Sequence, residues 1–96
     1  MDRITEKMLE RKIDYLNEIT GSPKEPYTKG EDGRYHANIG NYHLTGAYGG
    51  VSVGHMCNDG GGIDTPVTYG HVPKRELWEK LCSFINGIEL GKGMNG

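Results

Sequence analysis

The run Val72-Pro73-Lys74-Arg75 places two cations where a helix should begin. Pro73 suits a helical first turn, and the residue before it, Val72, has a side chain that cannot accept hydrogen bonds from the exposed backbone N–H groups. Lys74 and Arg75 then sit at the positive end of the helix dipole, where each is unfavourable by roughly 0.3–1 kcal/mol at a surface. A bound anion reverses that sign. On a helical wheel centred on Leu77, Lys74 falls at about 60° and Arg75 at about 160°, on or beside the apolar face, so both are expected to face a cleft between helix and sheet. His71 lies just upstream, and Gly60, Gly61 and Gly62 would let a ligand approach the backbone, so the group reads as a phosphate site. The competing reading has Glu76 capping the helix while the cations pair with Asp59, Asp64 or a second subunit.

Gly60 to Gly62 lacks the G-x-G-x-x-G spacing, the Gly-Lys-Ser/Thr ending and the parallel β-α-β frame of dinucleotide and P-loop sites. A flexible loop is its plainer reading. Tyr48 beside Gly49-Gly50 is placed to stack on a base, and Asn58 to hydrogen-bond a base edge, although a strand tyrosine is more often simply core. His36 and His43 fall on one sheet face as diagonal neighbours about 7–8 Å apart, without an evident third ligand, so no metal site is expected. His55 reads as a core histidine, and Cys57 and Cys82, with no C-x-x-C pair, as buried free thiols. No Ser/His/Asp or Cys/His order stands out, and neither catalytic residues nor a cofactor are assigned; a His-dependent phosphoesterase is the weakest alternative.

Three elements must position these groups. Residues 1–21 carry a helical stripe of Ile4, Met8, Leu9, Ile13, Tyr15, Leu16 and Ile19 that spreads over about 180°, with Asp2 as cap, Gly21 as stop and Lys12 snorkelling. So wide a stripe exceeds what one sheet covers. Residues 21–34, with Pro23, Pro26, Gly30 and Gly33, read as a connector. From 34 to 58 the period is two, with Gly40-Asn41 and Gly49-Gly50 as hairpin turns. Pairing Ile39 with Tyr42 and Tyr48 with Val51 puts Tyr35, Ala37, Ile39, Tyr42, Leu44, Tyr48, Val51, Val53, His55 and Cys57 on the face under the helices. Val67 to Tyr69 is a candidate fourth strand. The last helix is expected over 73–90 with Gly91 as its stop, followed by a disordered tail at 91–96. The fold class is α+β: one domain over 1–96, an N-terminal helix, an antiparallel three- to four-stranded meander, and a C-terminal helix packed on one sheet face.

The chain has 96 residues, 34% of them hydrophobic and 16 of them glycine. So thin a core, together with the wide helix stripe, predicts a homo-oligomer. A formal charge of −2 removes the positive field that nonspecific duplex DNA binding needs. No apolar run approaches a membrane span, and the charged N-terminus has no signal-peptide core, so a cytoplasmic location is expected.

The segments Tyr42-His43-Leu44-Thr45-Gly46-Ala47-Tyr48-Gly49-Gly50, Asn58-Asp59-Gly60-Gly61-Gly62 and Gly70-His71-Val72-Pro73-Lys74-Arg75-Glu76-Leu77 resemble small proteins of tailed phages. The spacing of Tyr48, Asn58 and Arg75 is similar to the nucleotide-contacting pattern of a phage anti-Thoeris sponge family, which captures cyclic ADP-ribose signals without cleaving them. The chain departs from that pattern in carrying Glu79 or Lys80 where a second helix arginine would stand, and Tyr48 where the pattern has phenylalanine. The resemblance implies that Tyr48 stacks on adenine, Asn58 bonds the base or ribose, and Arg75 holds the diphosphate. The expected function is therefore a phage counter-defence binding protein, acting in the cytoplasm of an infected bacterium, that sequesters a phosphate-bearing small molecule such as cyclic ADP-ribose or a cyclic oligonucleotide. The alternative is a protein-binding inhibitor or structural phage protein that uses its helix face and takes no small ligand.

Overall fold

The computed structural model describes residues 3–47, 49–58, 60–68 and 70–95. Helix α1 spans Glu6–Thr20. It begins later than the sequence suggested, because Thr5 and not Asp2 caps it: the Thr5 hydroxyl accepts from the Met8 N–H at 3.2 Å. Asp2 lies outside the described residues. Ile4, just before the cap, and Leu9, four residues after it, are both buried in the core, the pairing that sets a helix's entry angle. Gly21 ends α1 as expected, at φ 68°.

Five strands follow: β1 (Tyr27–Lys29), β2 (Tyr35–Ala37), β3 (Tyr42–Ala47), β4 (Gly50–Met56) and β5 (Ile63–Asp64), before α2 (Lys74–Asn95). They form two antiparallel sheets, β1-β2 and β3-β4-β5. The expected three-strand meander over 34–58 is thus divided. Residues 35–37 turn back on 27–29, in the segment read as a connector, so Tyr27 pairs with Ala37 and Lys29 with Tyr35. Gly40-Asn41 is not a hairpin turn. Asn41 is fully buried, its amide donates to the Pro23 carbonyl, and its own carbonyl accepts from the Met56 N–H. Tyr35 and Ile39, expected beneath the helices, are consequently exposed.

The β3-β4 hairpin forms, with Tyr42 opposite His55 and Ala47 opposite Gly50. This register differs by two residues from the expected one. A shift of two preserves the faces, so Tyr42, Leu44, Val51 and Val53 do pack against the helices. The fourth strand is Ile63–Asp64 and not Val67–Tyr69. Thr68 instead buries its hydroxyl against Ser52 at 3.1 Å and donates to the Gly70 carbonyl, and Tyr69 lies outside the described residues.

Helix α2 packs beside α1, contributing Leu77, Leu81 and Ile85 to the core. It runs past Gly91 to Asn95, where a stop and a disordered tail were expected. Gly91 is not among the glycines with positive φ, and the next residue, Lys92, reaches across to the Ile19 carbonyl of α1. Gly96 lies outside the described residues. The seam between the helices also carries Tyr15 donating to Glu89 at 2.9 Å and the Lys12 ammonium 5.4 Å from the centre of the Trp78 ring. The centre of the α1 stripe, Leu9, Ile13 and Leu16, is therefore covered within one chain by β3 and α2, while Tyr15 at its edge stays 38% exposed. Among the described residues, no helix is long and apolar enough to cross a membrane.

One side chain joins α1 to the sheet at its outer strand. Asn17, 2% exposed, donates to the Tyr42 carbonyl at 2.9 Å and accepts from the Tyr42 N–H at 2.8 Å. Asn17→Ala strands both the Tyr42 N–H and the Tyr42 carbonyl and should cost about 1–3 kcal/mol, seen as a fall in melting temperature of roughly 4–8 °C for each kcal/mol in a domain of this size. Retention of the wild-type midpoint would mean that water replaces the clamp.

His43 makes a second polar contact, half-buried. Its Nδ1 lies 3.1 Å from the Asn41 Oδ1, and the ring occupies the space that a side chain at Gly54 would fill. Burial lowers the His43 pKa from its ordinary 6.5. The unfolded chain therefore binds this proton first, so the contribution is complete above about pH 6.5 and is lost as the pH falls from there towards the folded-state value. Stability measured by urea unfolding should decline with acidification across that window in wild type and decline less in His43→Gln.

Candidate functional site

The strand β4 separates the residues that the sequence grouped into one site. At its first residue, a side chain on Gly50 would meet the His71-Val72 backbone at 3.1 Å, and Val51 exchanges both backbone hydrogen bonds with Val72. The start of α2 is pinned there. The glycine loop lies at the other end, joining β4 to β5 beyond Met56. Seven residues of extended strand set these ends about 20 Å apart.

At the α2 end, His71, Lys74 and Arg75 are all exposed. The expectation that both cations turn into a helix-sheet cleft fails, because the first turn of α2 presents both to solvent. Lys74 pairs with Glu6 of α1 at 3.9 Å, with both groups largely in solvent. The His71 Nε2 lies 3.3 Å from the Thr45 hydroxyl. The Leu77 N–H donates to the Pro73 carbonyl, which makes Pro73 the residue at the cap position. Proline offers neither a side-chain acceptor nor an N–H, so Glu76 cannot complete a reciprocal capping box with it. Tyr48 lies outside the described residues.

At the glycine end, Asn58 has a different role from the one expected. Its Oδ1 accepts from both the Gly60 and Gly62 N–H groups at 3.0 Å, and a side chain on Gly62 would stand 2.4 Å from its Nδ2. The acceptor is committed to closing the loop. Gly61, at φ 92°, takes a conformation that disfavours other residues, and it lies against the Tyr27 hydroxyl.

The histidines are also redistributed. His36 sits on β2, 3.4 Å from Asp32, and His43 on β3, so the expected diagonal pair belongs to two separate sheets. His55 is not an enclosed core residue: its side chain is 30% exposed, with Nδ1 3.3 Å from the Asp64 Oδ1 and its ring 4.6 Å from that of Tyr42. Cys57 is exposed and Cys82 half-buried, where two buried thiols were expected. One donor atom from each of His55, Cys57 and Asp64 lies within 4.8 Å of the other two. Asp64 and desolvation together raise the Cys57 thiol above its ordinary value, desolvation being the larger cause. The His-x-Cys spacing on one strand face was visible in the sequence, but the third member depends on β5.

Asn58→Ala tests the loop assignment in the protein without ligand. Both glycine amides reach water, so the cost should be about 1 kcal/mol, and hydrogen exchange at Gly60 and Gly62 should accelerate. Unchanged exchange would mean that the loop holds its shape without the side chain. No family model, curated protein or solved structure matches this chain.

Proposed function

We propose that this chain is a non-catalytic binding protein that takes up a phosphate-bearing nucleotide signal at the start of α2 and holds it without cleavage. The observation that carries this reading is the cap position of α2, occupied by Pro73 and followed by exposed Lys74 and Arg75. A helix start with no help from its cap side chain, flanked by two cations and His71, gains from an anion through both the dipole and direct charge-assisted bonds. The Lys74–Glu6 pair is long and solvent-exposed, so a phosphate can displace Glu6 at little cost. The similarity to phage sponges that capture cyclic ADP-ribose adds the ligand class. A role in counter-defence in an infected bacterium is part of the same proposal. Asn58 drops out of the contact set, because its oxygen already serves Gly60 and Gly62.

Two measurements test the reading. After incubation with a panel of cyclic nucleotides and heat denaturation, released ligand should be intact. Cleaved ligand would favour a phosphoesterase, and no uptake would favour a protein-binding role. In melting scans with phosphate, pyrophosphate and adenine nucleotides, Arg75→Ala should bind roughly ten- to a hundredfold more weakly, the equivalent of losing about 1.5–3 kcal/mol from one charge-assisted bond. Equal ligand-induced shifts in both proteins would sink the site.

A further inference from the structure

The β4-β5 hairpin brings three different metal-donor chemistries to one surface. His55 and Asp64 are directly opposed across the antiparallel pair, and opposed residues project on the same side. Cys57, two residues beyond His55, falls on that side by the alternation of a strand. The Cys57 N–H donates to the Gly62 carbonyl at 2.8 Å, so the residue across from the thiol is a glycine, packed against the Asn58 carboxamide and adding no donor of its own. Strand pairing, not chance rotamers, therefore fixes where the three donors originate.

The supporting contacts hold the ligands in place. The Asn58 carboxamide closes the loop immediately after Cys57 through Gly60 and Gly62. On the other edge of β4, Tyr42 is opposite His55 and its ring limits the tilt of the imidazole. His55 is half-buried while Cys57 and Asp64 are exposed, so an ion reaches the cluster from solvent. Tetrahedral coordination at ordinary zinc bond lengths separates the donors by roughly 3.3–3.8 Å. The 4.8 Å spread closes to that by side-chain rotation of about an ångström.

We propose that His55, Cys57 and Asp64 form a three-ligand site for a divalent ion of the zinc and cobalt class. A thiolate with an imidazole selects borderline and soft ions over magnesium and calcium, which take oxygen donors. As the bond from Cys57 to the ion forms, the thiol proton leaves to solvent, and the ion's charge offsets the repulsion between thiolate and the Asp64 carboxylate. Three protein donors leave a fourth position for water or for a donor atom of a bound molecule. The site is independent of the α2 phosphate site at the far end of β4.

The test is a Co2+ titration of the reduced full chain, followed in the near ultraviolet for thiolate-to-cobalt charge transfer and in the visible for tetrahedral ligand-field bands. Saturation at one ion per chain and displacement by Zn2+ are expected. Cys57→Ser should abolish the charge-transfer band. His55→Gln and Asp64→Asn should each weaken binding by at least about tenfold, the lower range for loss of even an outer-sphere partner. Variants at His36 and Cys82 should bind as wild type, with circular dichroism checking each fold. In the unmodified chain, saturating Zn2+ should slow alkylation of Cys57 but not of Cys82. Absence of the charge-transfer band, binding unaffected by Cys57→Ser, equal loss in the His36 variant, or unprotected Cys57 would each overturn the proposal.

Discussion

Burial of both faces of β4 is the constraint on which the rest of this small fold depends. Val51 and Val53 point into the helix-sheet core with Leu9, Leu16, Leu77 and Leu81. Ser52, Gly54 and Met56, on the opposite face, are buried as well. A central strand enclosed on both sides must satisfy every polar group it carries. Ser52 does so through Thr68, which requires the chain after β5 to pass over that face before Val72 returns to pair with Val51. Gly54 accommodates the His43 ring because it has no side chain of its own. The placement of Thr68 and of Gly70–Val72, and through it the position of α2, follows from what β4 needs covered.

The sequence made the periodic elements legible and left the long-range pairings obscure. The α1 and α2 stripes, the β3-β4 hairpin and its inward face are all written in residue spacing. Even the register error was harmless to the faces, because it amounted to two residues. The partner of β2 could not be read the same way. Tyr27–Lys29 is a three-residue strand in a segment with two prolines upstream, and its pairing depends on Asn38 reaching the Glu25 carbonyl and the Thr28 hydroxyl. Gly40-Asn41 resembles a turn locally, yet the Asn41 side chain is consumed by Pro23, a contact 18 residues away in sequence.

The candidate sites divide along the same line. His71, Lys74 and Arg75 were recognisable from helix-end chemistry, which is local. Their orientation was not, since a wheel projection gives angles about the helix axis and not which of them the neighbouring elements cover. His55 and Cys57 were correctly assigned to one strand face, and Asp64 was missed because its position is set by the pairing of β5 with β4. Asn58 shows the converse: a residue that looks available to a ligand in the sequence is occupied by its own loop.

The β1-β2 ribbon is attached to this core on terms of its own. Its two strands pair only with each other, and a two-stranded sheet contributes little stability alone. Its hydrogen-bonded links to the remainder run through Pro23, Glu25, Pro26 and Asn38–Asn41 at its base, where the Tyr27 hydroxyl also lies against Gly61. Its tip, Gly30–Arg34, is closed by local hydrogen bonds and by the Asp32 carboxylate, and it carries no core residue. A segment so arranged can open and reclose as a unit while the helices and β4 stay folded. The Asp32-Gly33 tip is accordingly the natural insertion point for an affinity tag or fluorescent reporter, at a position remote from the β3-β4-β5 framework that both proposed sites require.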